Sequence, residues 1–286
     1  MQGFEEQAEA FAERIAAEIE ERRLNFPVSM EVSLRIKRLA DDPDSTLDRI
    51  ATVVQAEPVL SAKTVRMANT VALNPYRARV ETVRDAVHRI GLSALRSLAL
   101  AVATEQLAGD HRSPNMRMLA HGLWLRSVDV ASWCFALARQ TRAANPDAAL
   151  LAGMMTHIGQ FFLLARASDY PAMEASIDRF AALVDDMHQS VGLAVLEVFD
   201  MPESILDCLE VEHTYDGEWP PADLGHVVQL ASLVSEAPNP FDGLLGRNPV
   251  RGPAAAAVFG IDTDELAALL AASHEERGEI LAAVRG

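Results

Sequence analysis

The chain has 286 residues, half of them hydrophobic and only 6% aromatic, and its 25 basic against 41 acidic residues leave a formal charge of −16. A field of that sign repels phosphates, which excludes non-specific binding to nucleic acid or to an anionic membrane and leaves room only for a local basic patch. The length allows one large domain or two small ones, and the dominance of alanine and leucine over β-branched and aromatic runs points to an all-α fold.

Residues 4–23 place Phe4, Ala8, Phe11, Ile15 and Ile19 on one stripe, the spacing of an acidic amphipathic helix and no secretory signal. That stripe either packs back on the rest of the chain or pairs with a second copy as a homodimer contact. Pro27 breaks the pattern, and a second helix carries Val32, Leu34, Ile36 and Leu39 to the turn "DDPD". "STLD" at 45–48 reads as a capping box with Ser45 as N-cap, and "TVRD" at 82–85 as another. Pro58 stands at a first helical position, where a missing N–H costs nothing. Asn69 is expected to cap the end of that helix, and Tyr76 to pack in the loop "NPYRARV" that follows. "DAVHRI" is helical up to Gly91, and "SALRSLALAVATEQL" continues beyond it.

The turn formers of "AGDHRSPN" (108–115) mark the clearest internal boundary. A long helix follows from 116 to about 143, then Asn145-Pro146 as N-cap and first residue of the next. That next run, 148–165, is almost long enough to span a membrane, but Thr156, His157 and Gln160 interrupt it, and a core helix is the expectation. Gly153 and Gly159 within it read as helix-packing positions. Helices are expected near 172–198, 203–213 and 224–236, followed by the Pro/Gly-rich "APNPFDGLLGRNPVRGP" and two short Ala/Leu-rich helices. Cys134 and Cys208 read as buried small hydrophobes of a reducing, cytoplasmic protein. There is no Gly-rich phosphate loop and no nucleophile elbow, so no cofactor is implied.

Residues 63–96 carry Lys63, Arg66, Arg77, Arg79, Arg84, Arg89 and Arg96 against Glu81 and Asp85. One reading is a solvated face laced with internal ion pairs. The other is a surface for an anion or an acidic partner centred on Arg77, Arg79, Arg84 and Arg89.

Taken in order, "DPDSTLDRIA", "EPVLSAKTVRMAN", "AVHRIGLSALR", "LWLRSVDVASWCFALAR", "AALLAGMMTHIGQFFLL" and "HQSVGLAVLEVFDMPESILDCLEVEH" resemble the HDOD family, all-helical bacterial signalling modules related to the HD metal phosphohydrolases. The likeness spans roughly 25–235. It implies an HD-like bundle in two packed lobes, 25–110 and 115–235, preceded by the helix in 1–24 and followed by a linker and C-terminal helices over 236–286. Laid on the ligand pattern of the catalytic relatives, the first histidine falls at Arg126, the His-Asp pair at Thr156 and His157, and the late aspartate at Ser232. Only His188 and His213 remain. Arginine has no acceptor, threonine is a poor ligand, and imidazole cannot bridge two cations as a carboxylate does.

The resemblance therefore implies a non-catalytic signalling or adaptor module that acts through a signalling protein partner or an anionic second messenger. The alternative is a metal-dependent phosphohydrolase acting on nucleotides or cyclic dinucleotides. A third possibility retains a single metal on His157, His188 and His213, with Asp185 and Glu210 three residues before two of them.

Overall fold

The structure, a computed structural model, describes residues 3–24, 31–76, 78–110, 113–199, 201–210, 218–257 and 261–285. Every regular element among the described residues is helical. The first, α1 (Phe4–Glu20), lays its stripe on its own chain: Phe11 meets the rings of Tyr170 and Phe180 edge-on at 5.3 and 6.2 Å, and Arg166 donates to Glu18 at 2.6 Å. The packing-back alternative is the one observed, and the apolar face of α1 is covered within one molecule.

The helices that follow are α2 (Glu31–Asp41), α3 (Leu47–Gln55), α4 (Pro58–Ala68) and α5 (Val83–Asp110). The caps of α3 and α5 follow the sequence with one shift. Thr46, not Ser45, is the N-cap of α3, its hydroxyl accepting from the Arg49 N–H at 3.3 Å. Helical geometry begins at Leu47, which brings Arg49 to the third helical position and leaves Ser45 one residue outside. Thr82 caps α5 as expected, accepting from the Asp85 N–H at 3.1 Å and donating to its carboxylate at 2.7 Å. Gly91 interrupts α5 with φ 74°, a left-handed conformation that favours glycine.

The central pillar is α6 (Pro114–Thr141), of which every residue from Leu123 to Ala138 except Leu125 is buried. Such a helix, covered on all sides, needs apolar neighbours all round. They are α5, α7 (Pro146–Met155), α12 (Leu224–Val234) and α15 (Thr263–Arg285). The apolar run around His157 is two helices, α7 and α8 (Ile158–Ala167), because His157 leaves helical geometry at φ −111°, ψ 17°. This pair and the Val83–Gln106 stretch are both long and apolar enough to cross a membrane, yet 83% and 67% of their most apolar windows are buried inside the fold. They are core.

Two glycines set the helix spacing. A Cβ on Gly153 would lie 2.6 Å from the Ala131 Cα, and one on Gly159 would lie 1.9 Å from the His188 carbonyl oxygen. The second contact draws α8 against the backbone of α10 (Ile177–Val198), which follows the short α9 (Pro171–Ala175). After α11 (Glu203–Glu210) and α12, the Pro/Gly-rich segment is folded rather than extended. It holds α13 (Pro240–Leu244), with Phe241 buried, and returns to α12 through Gly252 N–H and the Leu233 carbonyl at 2.9 Å.

After the short α14 (Pro253–Ala257), the two expected C-terminal helices prove to be one long helix, α15. The polar "SHEERGE" that separates its apolar ends in sequence is helical, and it pairs with α6 through Glu276 to Arg139 at 2.9 Å and Arg277 to Asp129.

Candidate functional site

Helix α6 presents Arg126, Ser127 and Asp129 to the interior of the fold. Arg126 is only 6% exposed, and its guanidinium is shared among backbone carbonyls: Nη2 donates to Ser232 at 2.8 Å, and Nη1 to Ser235 at 3.2 Å and Ala237 at 2.9 Å. Ser232 lies in the last turn of α12 and Ser235 is its C-cap. Carbonyls at a helix C-terminus have no intrahelical partner and carry its partial negative charge, so a cation belongs there. Burial pulls the Arg126 pKa down to about 10, helped by neighbouring Arg251 and opposed by Asp129 and Asp242. At neutral pH the group stays cationic.

One turn along α6, Asp129 is 3% exposed and accepts from the Ser235 hydroxyl at 2.6 Å and from Arg277 of α15. Arg277 also lies over the Trp133 ring, 4.6 Å from its centroid. Arg251 pairs with Asp242 and donates to the Ala237 carbonyl at 3.4 Å, while Asn239 donates to Gln160 at 3.1 Å. One polar network thus joins α6, α8, α12, the 235–251 segment and α15.

His157 sits beside it, at the junction of α7 and α8, with its Nδ1 3.1 Å from the Ser127 hydroxyl. Burial pushes its pKa down to about 3, reinforced by Arg126, His188 and Arg251, so the imidazole is neutral throughout the physiological range. Thr156 turns its hydroxyl back to the Ala152 carbonyl at 3.2 Å. The Nδ1 of His188 lies 2.9 Å from the Asp185 carbonyl of its own helix. His213 and the side chain of Glu210 lie outside the described residues.

These groups do not fit a two-metal centre. Arg126 offers no lone pair, and the nearby carboxylates already have cationic partners: Asp129 with Arg277, Asp242 with Arg251, Asp185 with Arg247. Among the described residues no three His, Cys, Asp or Glu side chains gather where they could hold a metal ion.

Most described cations of the basic stretch are engaged by their own chain. Lys63 is buried, donating to the Val284 carbonyl and pairing with Glu105 at 3.0 Å. Arg84 grips Asp48 through two 2.5 Å bonds, Arg96 pairs with Asp41, and Arg89 donates to the Ala78 carbonyl at 2.9 Å. Arg79 stays out in solvent, 3.4 Å from Glu81, and Arg77 lies outside the described residues.

Tyr76, expected to pack, is 93% exposed. Of the described residues of the same loop, Ala72, Asn74 and Val80 are the ones that are buried. Asn69 does close the end of α4 and does more, pairing across the loop with both backbone groups of Val80.

Sequence reasoning missed Asp129, Ser235, Arg251 and Arg277. Only Asp129 carried a local signal, an acid one turn from Arg126. The others come from distant parts of the chain: Ser235 from the end of α12, Arg251 from a segment that reads as linker, and Arg277 from α15.

The arrangement is an all-helical bundle with a buried, carbonyl-bound arginine in its interior. The chain belongs to the HDOD family: the model of the HDOD domain matches residues 26–215. No protein of curated function matches it. Among solved structures it is similar to a Shewanella amazonensis protein described as a "putative metal-dependent phosphohydrolase", with TM-score 0.64 and 24% identity over 96% of this chain and 99% of the other. It is also similar to an HDOD domain protein of unknown function from Geobacter sulfurreducens, with TM-score 0.54 and 21% identity over 92% and 97%. A "putative signal transduction protein" from Marinobacter aquaeolei gives TM-score 0.51 and 18% identity over 96% and 66%. Likeness at these identities shows the shared fold.

Proposed function

We propose that this HDOD chain is a non-catalytic signalling adaptor that acts through contacts with a partner protein. The observation that carries this reading is Arg126. At the position where the family resemblance puts the first metal-binding histidine, a buried guanidinium donates to three carbonyls, two at the end of α12 and one just beyond it. Hydrolysis on a two-metal centre needs lone pairs converging on open coordination positions. This site offers N–H donors turned inward and carboxylates neutralised by arginines.

The test is turnover. The intact protein is assayed with Mg²⁺, Mn²⁺, Fe²⁺ and Zn²⁺ against p-nitrophenyl phosphate, nucleotides and cyclic dinucleotides, beside His188→Ala. The expected result is the same blank rate for both proteins. Metal-stimulated hydrolysis that His188→Ala abolishes would overturn the reading in favour of a phosphohydrolase.

A further inference from the structure

We infer that α15 is a releasable strap: it opens as one unit from an otherwise folded chain and uncovers the face of α6 and α4 around Asp129, Lys63 and Ala72. The inference goes beyond the adaptor reading and does not depend on it.

The hold of α15 on the fold is mostly polar. Of its 23 residues only Leu266, Ser273, Ile280, Ala283 and Val284 are buried, and the serine hydroxyl returns to its own helix at the Leu269 carbonyl. Charges and carbonyls make the rest of the grip. Glu276 pairs with Arg139, Arg277 pairs with Asp129, and Glu279 accepts from the Ala72 N–H at 3.0 Å. At the far end Lys63 and Arg66 of α4 donate to the carbonyls of Val284 and Ala282, which a helix C-terminus leaves without internal partners. An element with few buried apolar contacts opens at lower free energy than the core it lies on.

Its departure also leaves paired charges behind. Asp129 and Lys63 are 3% and 5% exposed, so losing a sole partner would strand them. Neither has only one. Asp129 keeps the Ser235 hydroxyl at 2.6 Å, and Lys63 keeps Glu105 at 3.0 Å. Arg139 likewise keeps the Ala72 carbonyl at 2.6 Å. The Ala72 N–H gives up Glu279, and water can take that place once the helix has moved. The closed state, by contrast, buries Glu276 Oε2 and Arg277 Nε with no hydrogen-bond partner, and release returns both atoms to water. A helix that gains little from burial and is backed up at each charged contact can come away while the bundle stays.

The experiment is amide hydrogen exchange on the intact chain, followed residue by residue in rising urea below the unfolding midpoint. Amides of α15, and that of Ala72, are expected to show protection about tenfold or more below that of α6 between Val128 and Ala138. Their dependence on urea should be smaller, because less surface is exposed when they open. Two substitutions separate local from global opening. Val195→Ala makes a cavity in α10 away from α15, and should speed exchange in α6 about tenfold while leaving α15 and Ala72 as they were. Arg277→Ala weakens the closed state itself, and should speed both. One protection level and one urea slope shared by α15 and α6 in the wild type would overturn the strap, as would α15 amides that follow Val195→Ala in step with α6.

Discussion

Arg126 and the loop around Tyr76 use the same groups, arginine and asparagine side chains on backbone carbonyls, to opposite ends. Around Arg126 the carbonyls of Ser232, Ser235 and Ala237 answer a buried cation, and the result is a closed junction of α6 with α12 and the segment that follows it. Around Tyr76 the side chains of Asn69, Asn74, Arg89 and Arg139 answer loop carbonyls, and the result is an aromatic ring held out in water. Burial decides how much each contact weighs. A hydrogen bond lost in the first region strands a desolvated group, whereas in the second region water can replace much of what is removed.

The largest test of that contrast is Arg126→Ala. It strips partners from three carbonyls and a counter-charge from the Asp129 neighbourhood, so a loss of roughly 3–5 kcal/mol in urea unfolding is expected. Arg126→Lys should recover little, because an ammonium cannot span the same three oxygens.

Next comes acid. The His157 pKa is about 3 in the folded chain against an ordinary 6.5, so between those values the unfolded chain binds the extra proton. Stability is therefore full above pH 6.5 and declines as pH falls, by about 2 kcal/mol at pH 5 from this residue alone. Thermal melts of His157→Gln should show a flatter acid limb.

Asp129→Asn keeps the acceptor for Ser235 but removes the charge facing Arg277, and about 1–2 kcal/mol is expected in the same unfolding assay. Smallest is Arg84→Ala. Its ion pair with Asp48 is open to water on both sides, so the melting temperature should stay where it is, and a clear fall would show that the contrast is overdrawn.

The helices and most caps were legible because they depend on local chemistry: Asn145-Pro146, Pro58, Thr82 and Gly91 each act within a few residues. The glycines of the apolar run were legible as packing sites because nothing else explains glycine there. What stayed hidden is what depends on long-range contact. The two short helices expected at the C-terminus prove to be one only once Glu276 and Arg277 are seen against Arg139 and Asp129, and "APNPFDGLLGRNPVRGP" reads as linker until Phe241 is seen buried. Tyr76 misled for the converse reason. A lone aromatic in a loop suggests burial, and only its exposure in the folded chain shows otherwise.

The Arg126 cluster has one more consequence. A metal ion at the heart of a fold is a guest: it can be chelated, exchanged for a competitor or diluted away. A guanidinium is bonded to its own main chain and keeps its charge at any pH the cell visits. A junction built on it holds together without reference to metal supply, and its partners can be loosened only by moving the helices that carry them.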